Sequence, residues 1–175
     1  LGGQGVVLAG QVLGRAAVYD GKNAVQTQSY GAEARGSAAR SDVIISTGRI
    51  GFPMVRRCDI LVAMSQEALN KHLKCLRRGG VLLIDEDLVR EVPPAEARVF
   101  RVPATRVAEN ELGLRIYANM VMLGALASIT NVVSEGALRK AIEDTVPPET
   151  RTPNLKGFER GLQLFRGRPE PAGRE

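Results

Sequence analysis

Four short apolar runs with strand-like composition recur through the middle of the chain, separated by longer stretches that read as helix or loop. They fall at residues 42–46, centred on Val43, Ile44 and Ile45, and at 60–64, 81–84 and 99–102. Runs this short and this continuously apolar suit strands buried on both faces, as in parallel sheets. A fifth segment, residues 24–28, reads as a short strand after Gly21. Strands alternating with helices predict a three-layer α/β/α domain with a mostly parallel, Rossmann-like sheet and C-terminal helices.

The helical signals are local and specific. At the front, Val6, Leu8, Ala9, Val12, Leu13 and Ala16 follow a glycine-rich opening at helical spacing. Ser65 can cap a helix over residues 66–77, with Glu67 in the first turn where the macrodipole favours an acid. This places His72 in mid-helix and makes Gly79-Gly80 the turn into the next strand. From Leu114 a long apolar periodicity begins, with Ala118, Gly124 and Ala125 small enough for close helix packing. Ser134 caps a further helix to about residue 144, which Pro147-Pro148 ends. One domain over residues 1–166 is expected, with a disordered tail at 167–175. A loop running into a helix usually follows a strand, so the opening strand is expected to be missing ahead of Leu1.

Composition narrows the function. Only Cys58 and Cys75 occur, dispersed rather than in a CxxC spacing, which points to reduced thiols and a cytoplasmic setting. Two thiols are too few for an iron–sulfur cluster, which normally takes four. The net charge of +5 comes from scattered residues, part of it Arg160, Arg166, Arg168 and Arg174 near the end, read as a solvated or partner-facing surface. With 4% aromatics and no tryptophan, nucleic-acid binding is not expected. No apolar run is long enough for a membrane span.

Two loops are candidate sites. Gly2, Gly3, Gln4 and Gly5 precede a helix, where backbone N–H groups can meet an anion such as a phosphate. They lack the GK[ST] ending of a P-loop, and strand 24–28 ends on Gln28 where a dinucleotide fold would place an acid. A tight turn that needs small residues explains these glycines equally well. The second is Ser29, Tyr30, Gly31, Glu33, Arg35 and Gly36, in a polar loop at a strand end. That is where α/β domains present functional groups, although a plain exposed loop fits the same residues. The lone His72 has no catalytic context, no metal cluster is legible, and no catalytic residue is assigned.

The strings GGQGVVLAGQVLG, SYGAEARG, DVIIS, CDILVAMSQEA, RRGGVLLID, NMVMLGALA and the segment 154–161, in this order, resemble the gamma subunit of 2-oxoacid:ferredoxin oxidoreductases. The resemblance implies an accessory subunit in a heteromeric enzyme. That enzyme oxidatively decarboxylates a 2-oxoacid to an acyl-CoA and passes electrons to ferredoxin. MSQEA and SYGAEARG lean toward 2-oxoglutarate, with pyruvate and branched-chain 2-oxoacids as the alternatives. Thiamine diphosphate and the iron–sulfur clusters would then belong to catalytic and ferredoxin-like partner subunits. This chain would serve assembly and the enclosure of coenzyme A, with a homodimer as a second association. Ser37 stands where the family often has another glycine. Two other readings remain at this stage, a free-standing nucleotide-binding oxidoreductase and a purely structural interaction module.

Overall fold

The computed structural model describes residues 4–30 and 39–167, the side chain of Gln4 apart. Gly2, Gly3, Gly31, Glu33, Arg35 and Gly36 therefore lie outside the described residues, as do the expected missing strand and the tail from residue 168.

Helix α1 (Gln4–Tyr19) begins inside the glycine-rich opening, with Gly5 already in its first turn. It ends at a turn in which Gly21 takes a positive φ of 77° and donates to the Val18 carbonyl. Strands β1 (Asn23–Ser29) and β2 (Arg40–Ser46) follow and pair antiparallel, from Asn23 opposite Ser46 to Ser29 opposite Arg40. This departs from the parallel expectation for the first two strands. The connection, residues 30–39, is shorter than the dozen or so residues a parallel crossover requires.

The parallel sheet consists of β3 (Cys58–Ala63), β4 (Leu76–Asp85) and β5 (Ala97–Val102), in the order β3-β4-β5. Central strand β4 is buried on both faces. Leu82 and Ile84 pack with Ala63, Leu69 and Val89 on one side, and Val81 and Leu83 pack with Phe100, Val102, Val107 and Val121 on the other. Helix α2 (Gln66–His72) supplies Leu69 to the first side. It carries the expected cap, the Ser65 hydroxyl accepting from the Ala68 N–H at 3.1 Å. The helix is shorter than the expected span to residue 77. It gives way to a 3-10 turn over Leu73–Cys75, because Leu76 must enter the ladder opposite Cys58. His72 is accordingly a half-buried helix end, and Gly79-Gly80 are an irregularity within β4, where the register against β3 shifts. A side chain at Gly80 would press on the Arg77 and Asp59 carbonyls, so the bend tolerates only glycine.

Helix α3 (Ala104–Leu112), which the sequence pattern did not reveal, follows Pro103, a residue without a side-chain cap. Buried Asp85 at the end of β4 supplies that function from another strand. It accepts from the Thr105 N–H at 3.1 Å and the Thr105 hydroxyl at 2.6 Å. Burial pushes its carboxyl above the usual carboxylate range against the opposing effect of these donors.

The chain closes with α4 (Ala118–Thr130), α5 (Glu135–Thr145) and α6 (Arg151–Phe165). The expected periodicity from Leu114 opens as a 3-10 turn over Arg115–Tyr117 before α4. Helices α4 and α6 meet backbone to backbone. A Cβ on Gly124 would collide with the Phe158 carbonyl oxygen, and one on Gly161 with the Val121 carbonyl oxygen. On the other flank, α1, α4, α5 and α6 share a core of Val12, Ala16, Leu123, Leu138, Ile142 and Phe158. Arg160 and Arg166, expected on a solvated or partner-facing surface, form partly exposed ion pairs with Glu111 and Glu135.

Two stability outcomes follow. Gly161→Ala should lower stability by about 1–3 kcal/mol, the usual cost of forcing atoms into a packed contact. Thermal unfolding checks this, and an unchanged midpoint would contradict the backbone contact. Asp20 accepts from both the Ser134 hydroxyl and the Ser134 N–H at 2.6 Å, tying the end of α1 to the start of α5. These donors hold its carboxyl below the usual range. Their contribution is complete above the unfolded-state value and is lost as pH falls through the lower folded-state value. Asp20→Asn should therefore unfold at lower urea than the natural chain at pH 7, with the gap narrowing below about pH 4, near the unfolded aspartate pKa. A gap that does not change with pH would argue against this link.

Candidate functional site

The start of α1 and the end of β1, which border the two candidate loops, are related by the packing of α1 on the strand pair. Helix α1 runs back along β1 and β2. Gly14 sits against Gln26, and Gly10, nearer the helix start, sits against Ser41, where a Cβ would strike the hydroxyl. Continuing in that direction leads to the start of α1 and to the open end of the strand pair, where Ser29 faces Arg40.

Of the sequence-predicted residues, Gly5 is occupied by packing, since a Cβ there would run into the Asn119 carboxamide at the start of α4. Its lack of a side chain serves this helix contact. Ser29 is the last residue of β1 rather than a loop residue, and Tyr30 follows it with 63% of its surface exposed. Gln26 donates to the Ser41 hydroxyl at 3.1 Å and braces the same end.

Beside the end of β1 lies a cleft of ≈ 250 Å³ lined by Thr27, Gln28, Ser29, Arg40, Asp42, Met54 and Val55. The first five come from the strand pair and the last two from the connection between β2 and β3. Arg40 and Asp42 are two apart on a strand and so point to one face. They form a two-pronged ion pair, with Nε to Oδ1 and Nη2 to Oδ2 both at 2.8 Å. Hydrogen bonding to Asp42 raises the guanidinium pKa further. This pair escaped sequence reasoning, although an arginine and an aspartate at i and i+2 in a strand is a readable signal. Asn119 and Met54 carried no signal, because their importance depends on which distant element reaches them.

Two ionisable side chains near Arg40, outside the cleft lining, are shifted toward their neutral forms. Burial, followed by the neighbouring charges of Arg40 and Lys71, pushes the His72 imidazole pKa down, so the ring stays neutral further into acid. Burial, followed by Cys75, pushes the Cys58 thiol up, so little thiolate forms. Arg40 is satisfied by Asp42. No group of three or more histidine, cysteine or acidic side chains able to hold a metal occurs among the described residues. The donor set, two thiols in the whole chain, does not fit an iron–sulfur cluster.

Comparison with known proteins agrees with this assignment of parts. Residues 1–164 match the family model described as pyruvate ferredoxin/flavodoxin oxidoreductase. The chain is 51% identical over 166 residues to the 2-oxoglutarate synthase subunit KorC of Methanocaldococcus jannaschii, covering 93% of this chain and 89% of that one. It is 34% identical over 168 residues to the ketoisovalerate oxidoreductase subunit VorA of Methanothermobacter marburgensis, covering 94% of this chain but only 35% of that longer one. Among solved structures, the gamma subunit of a keto/oxoacid ferredoxin oxidoreductase from Geobacter sulfurreducens superposes with a TM-score of 0.84 at 44% identity, covering 95% of both chains. A parallel three-stranded sheet flanked by helices and end-to-end similarity to oxidoreductase subunits together place this chain in the pyruvate ferredoxin/flavodoxin oxidoreductase family.

Proposed function

We propose that the chain is the accessory gamma subunit of a heteromeric 2-oxoacid:ferredoxin oxidoreductase acting on 2-oxoglutarate. The observation that carries this reading is the end-to-end similarity to a 2-oxoglutarate synthase subunit, 51% identical over 93% of the chain. The chemistry of the site supports it. Arg40 is neutralised by Asp42, the imidazole and thiol are uncharged, and the enzyme's electron transfer must run through other subunits. Thiamine diphosphate and the iron–sulfur clusters sit in the catalytic and ferredoxin-like partners. No helix of the described residues is long and apolar enough to cross a membrane, in keeping with a cytoplasmic complex.

In this role the end bearing Ser29, Tyr30 and the loop residues Gly31, Glu33, Arg35 and Gly36 faces the catalytic subunits and helps enclose coenzyme A. The backbone of Gly2, Gly3 and Gln4 is the part of the opening loop turned to an anion, while Gly5 serves the contact with Asn119. Arg35 can make charge-assisted hydrogen bonds, which are roughly twice as strong as neutral ones.

Purification of the tagged chain from its native source, with partners identified by mass, should recover the other oxidoreductase subunits. Recovery of the chain alone would count against the accessory role. In the reconstituted complex, Arg35→Ala should reduce coenzyme A-dependent turnover or assembly about tenfold or more, the loss of a charged contact worth about 1.5–3 kcal/mol. His72→Ala should change both by less than about twofold. Equal and negligible effects of the two substitutions would make the loop a passive one.

A further inference from the structure

The chain's two cysteines, dispersed in sequence, are brought together by the parallel sheet. Cys58 opens β3 and pairs with Leu76, the first residue of β4, while Cys75 closes the 3-10 turn immediately before it. Neighbouring strands lie about 4.8 Å apart and consecutive Cα atoms about 3.8 Å, so one step across the ladder and one along the chain at right angles to it separate the two Cα atoms by about 6 Å. A disulfide spans Cα atoms roughly 4.4–6.8 Å apart. Both thiols are free and half-buried, so a small reagent can reach them.

Electrostatics agree with this proximity. After burial, the charge of Cys75 is the next largest influence raising the Cys58 thiol. The Arg40 guanidinium, held charged first by Asp42, also feels both sulfurs. The two strand ends are clipped in place on the following pair of residues, where Arg77 meets Asp59 at 2.6 Å. Beyond that clip the register shifts before Ile60 meets Val81, and Gly79 takes a positive φ of 73°. The Cys58–Leu76 bridge is therefore set off from the regular ladder, and the sulfurs can approach without disturbing the pairing of residues 60–63.

We infer that Cys58 and Cys75 are a dithiol oxidation site, which closes to an intrachain disulfide when a small-molecule disulfide is present as oxidant. The Cys75 thiolate attacks one sulfur of that reagent, forming a mixed disulfide and expelling a thiolate, which takes up the proton Cys75 has released. Cys58 then gives up its own proton and attacks the Cys75 sulfur, and the second half of the reagent leaves as a thiol. The chain loses two hydrogens and two electrons, and the small disulfide gains both as two thiols. Attack requires a thiolate, and burial keeps Cys58 protonated, so Cys75 reacts first and Cys58 resolves. The bond closes the segment that carries α2 and fastens the start of β3 beside Arg40 and Asp42 of the cleft. Reversible disulfides of this kind serve redox sensing where the surroundings are reducing. The inference does not depend on the accessory-subunit reading.

The test is incubation of the purified, reduced chain with oxidised glutathione under native conditions, followed by thiol counting, intact mass and peptide mapping. Both free thiols should disappear while the mass falls by two hydrogen atoms, with one linked peptide pair joining Cys58 to Cys75, and dithiothreitol should restore both thiols. The oxidised chain should melt about 5 °C or more above the reduced one, because the bond restricts the unfolded chain. Neither Cys58→Ser nor Cys75→Ser should show that rise. Cys58→Ser should retain one glutathione on Cys75, and Cys75→Ser should take up glutathione more slowly than Cys58→Ser. Stable glutathione caps on both cysteines of the natural chain, with no internal bond, would overturn the inference. A bond that forms only between two chains, or only in urea, would overturn it equally.

Discussion

Helix α4 is the member on which the two halves of the fold depend. Its Met120, Leu123 and Ala127 belong to the core shared with α1, α5 and α6, whereas Val121, Met122, Ala125 and Leu126 belong to the core against the parallel sheet. A helix apolar on all sides has no solvent face to spare, so it must be buried completely. Its approach to α6 is set by Gly124 and Gly161, where backbone meets backbone without an intervening side chain. Its first turn also receives Gly5 against Asn119, so the start of α1 depends on the same helix.

The legible parts of the fold were those written in local chemistry. Ser65 and Ser134 announced their helices through side chains that accept from the N–H three residues on, and the run 81–84 announced a buried strand, whereas Val43–Ile45 lie in a strand that is only half-buried. What was not legible depended on pairing over distance. The antiparallel fit of β1 to β2 follows from a connection too short to cross over. The early end of α2 follows from Leu76 meeting Cys58. Helix α3 escaped notice because its cap, Asp85, lies twenty residues away from Thr105 in sequence.

At the candidate site, the described residues are those that border the two loops read from the sequence. Gly5, read as part of an anion loop, lies in the first turn of α1 against Asn119. Ser29 looked like loop and closes a strand. The Arg40–Asp42 pair lining the cleft was passed over, because a charged pair in a strand becomes informative only once the face it occupies is known. The physical lesson is that glycine and polar loops mark where the backbone must be open, while their purpose is decided by the element that approaches.

Electrostatics and packing lead to one account. The fold supplies a stable frame and a cleft lined by the Arg40–Asp42 ion pair. The most direct measurement is acceptor reduction by the purified chain given 2-oxoglutarate, coenzyme A, thiamine diphosphate and a low-potential electron acceptor, before and after the other subunits are added. The account predicts no turnover above background from the chain alone and activity once the set is complete, and sustained turnover by the lone chain would contradict it.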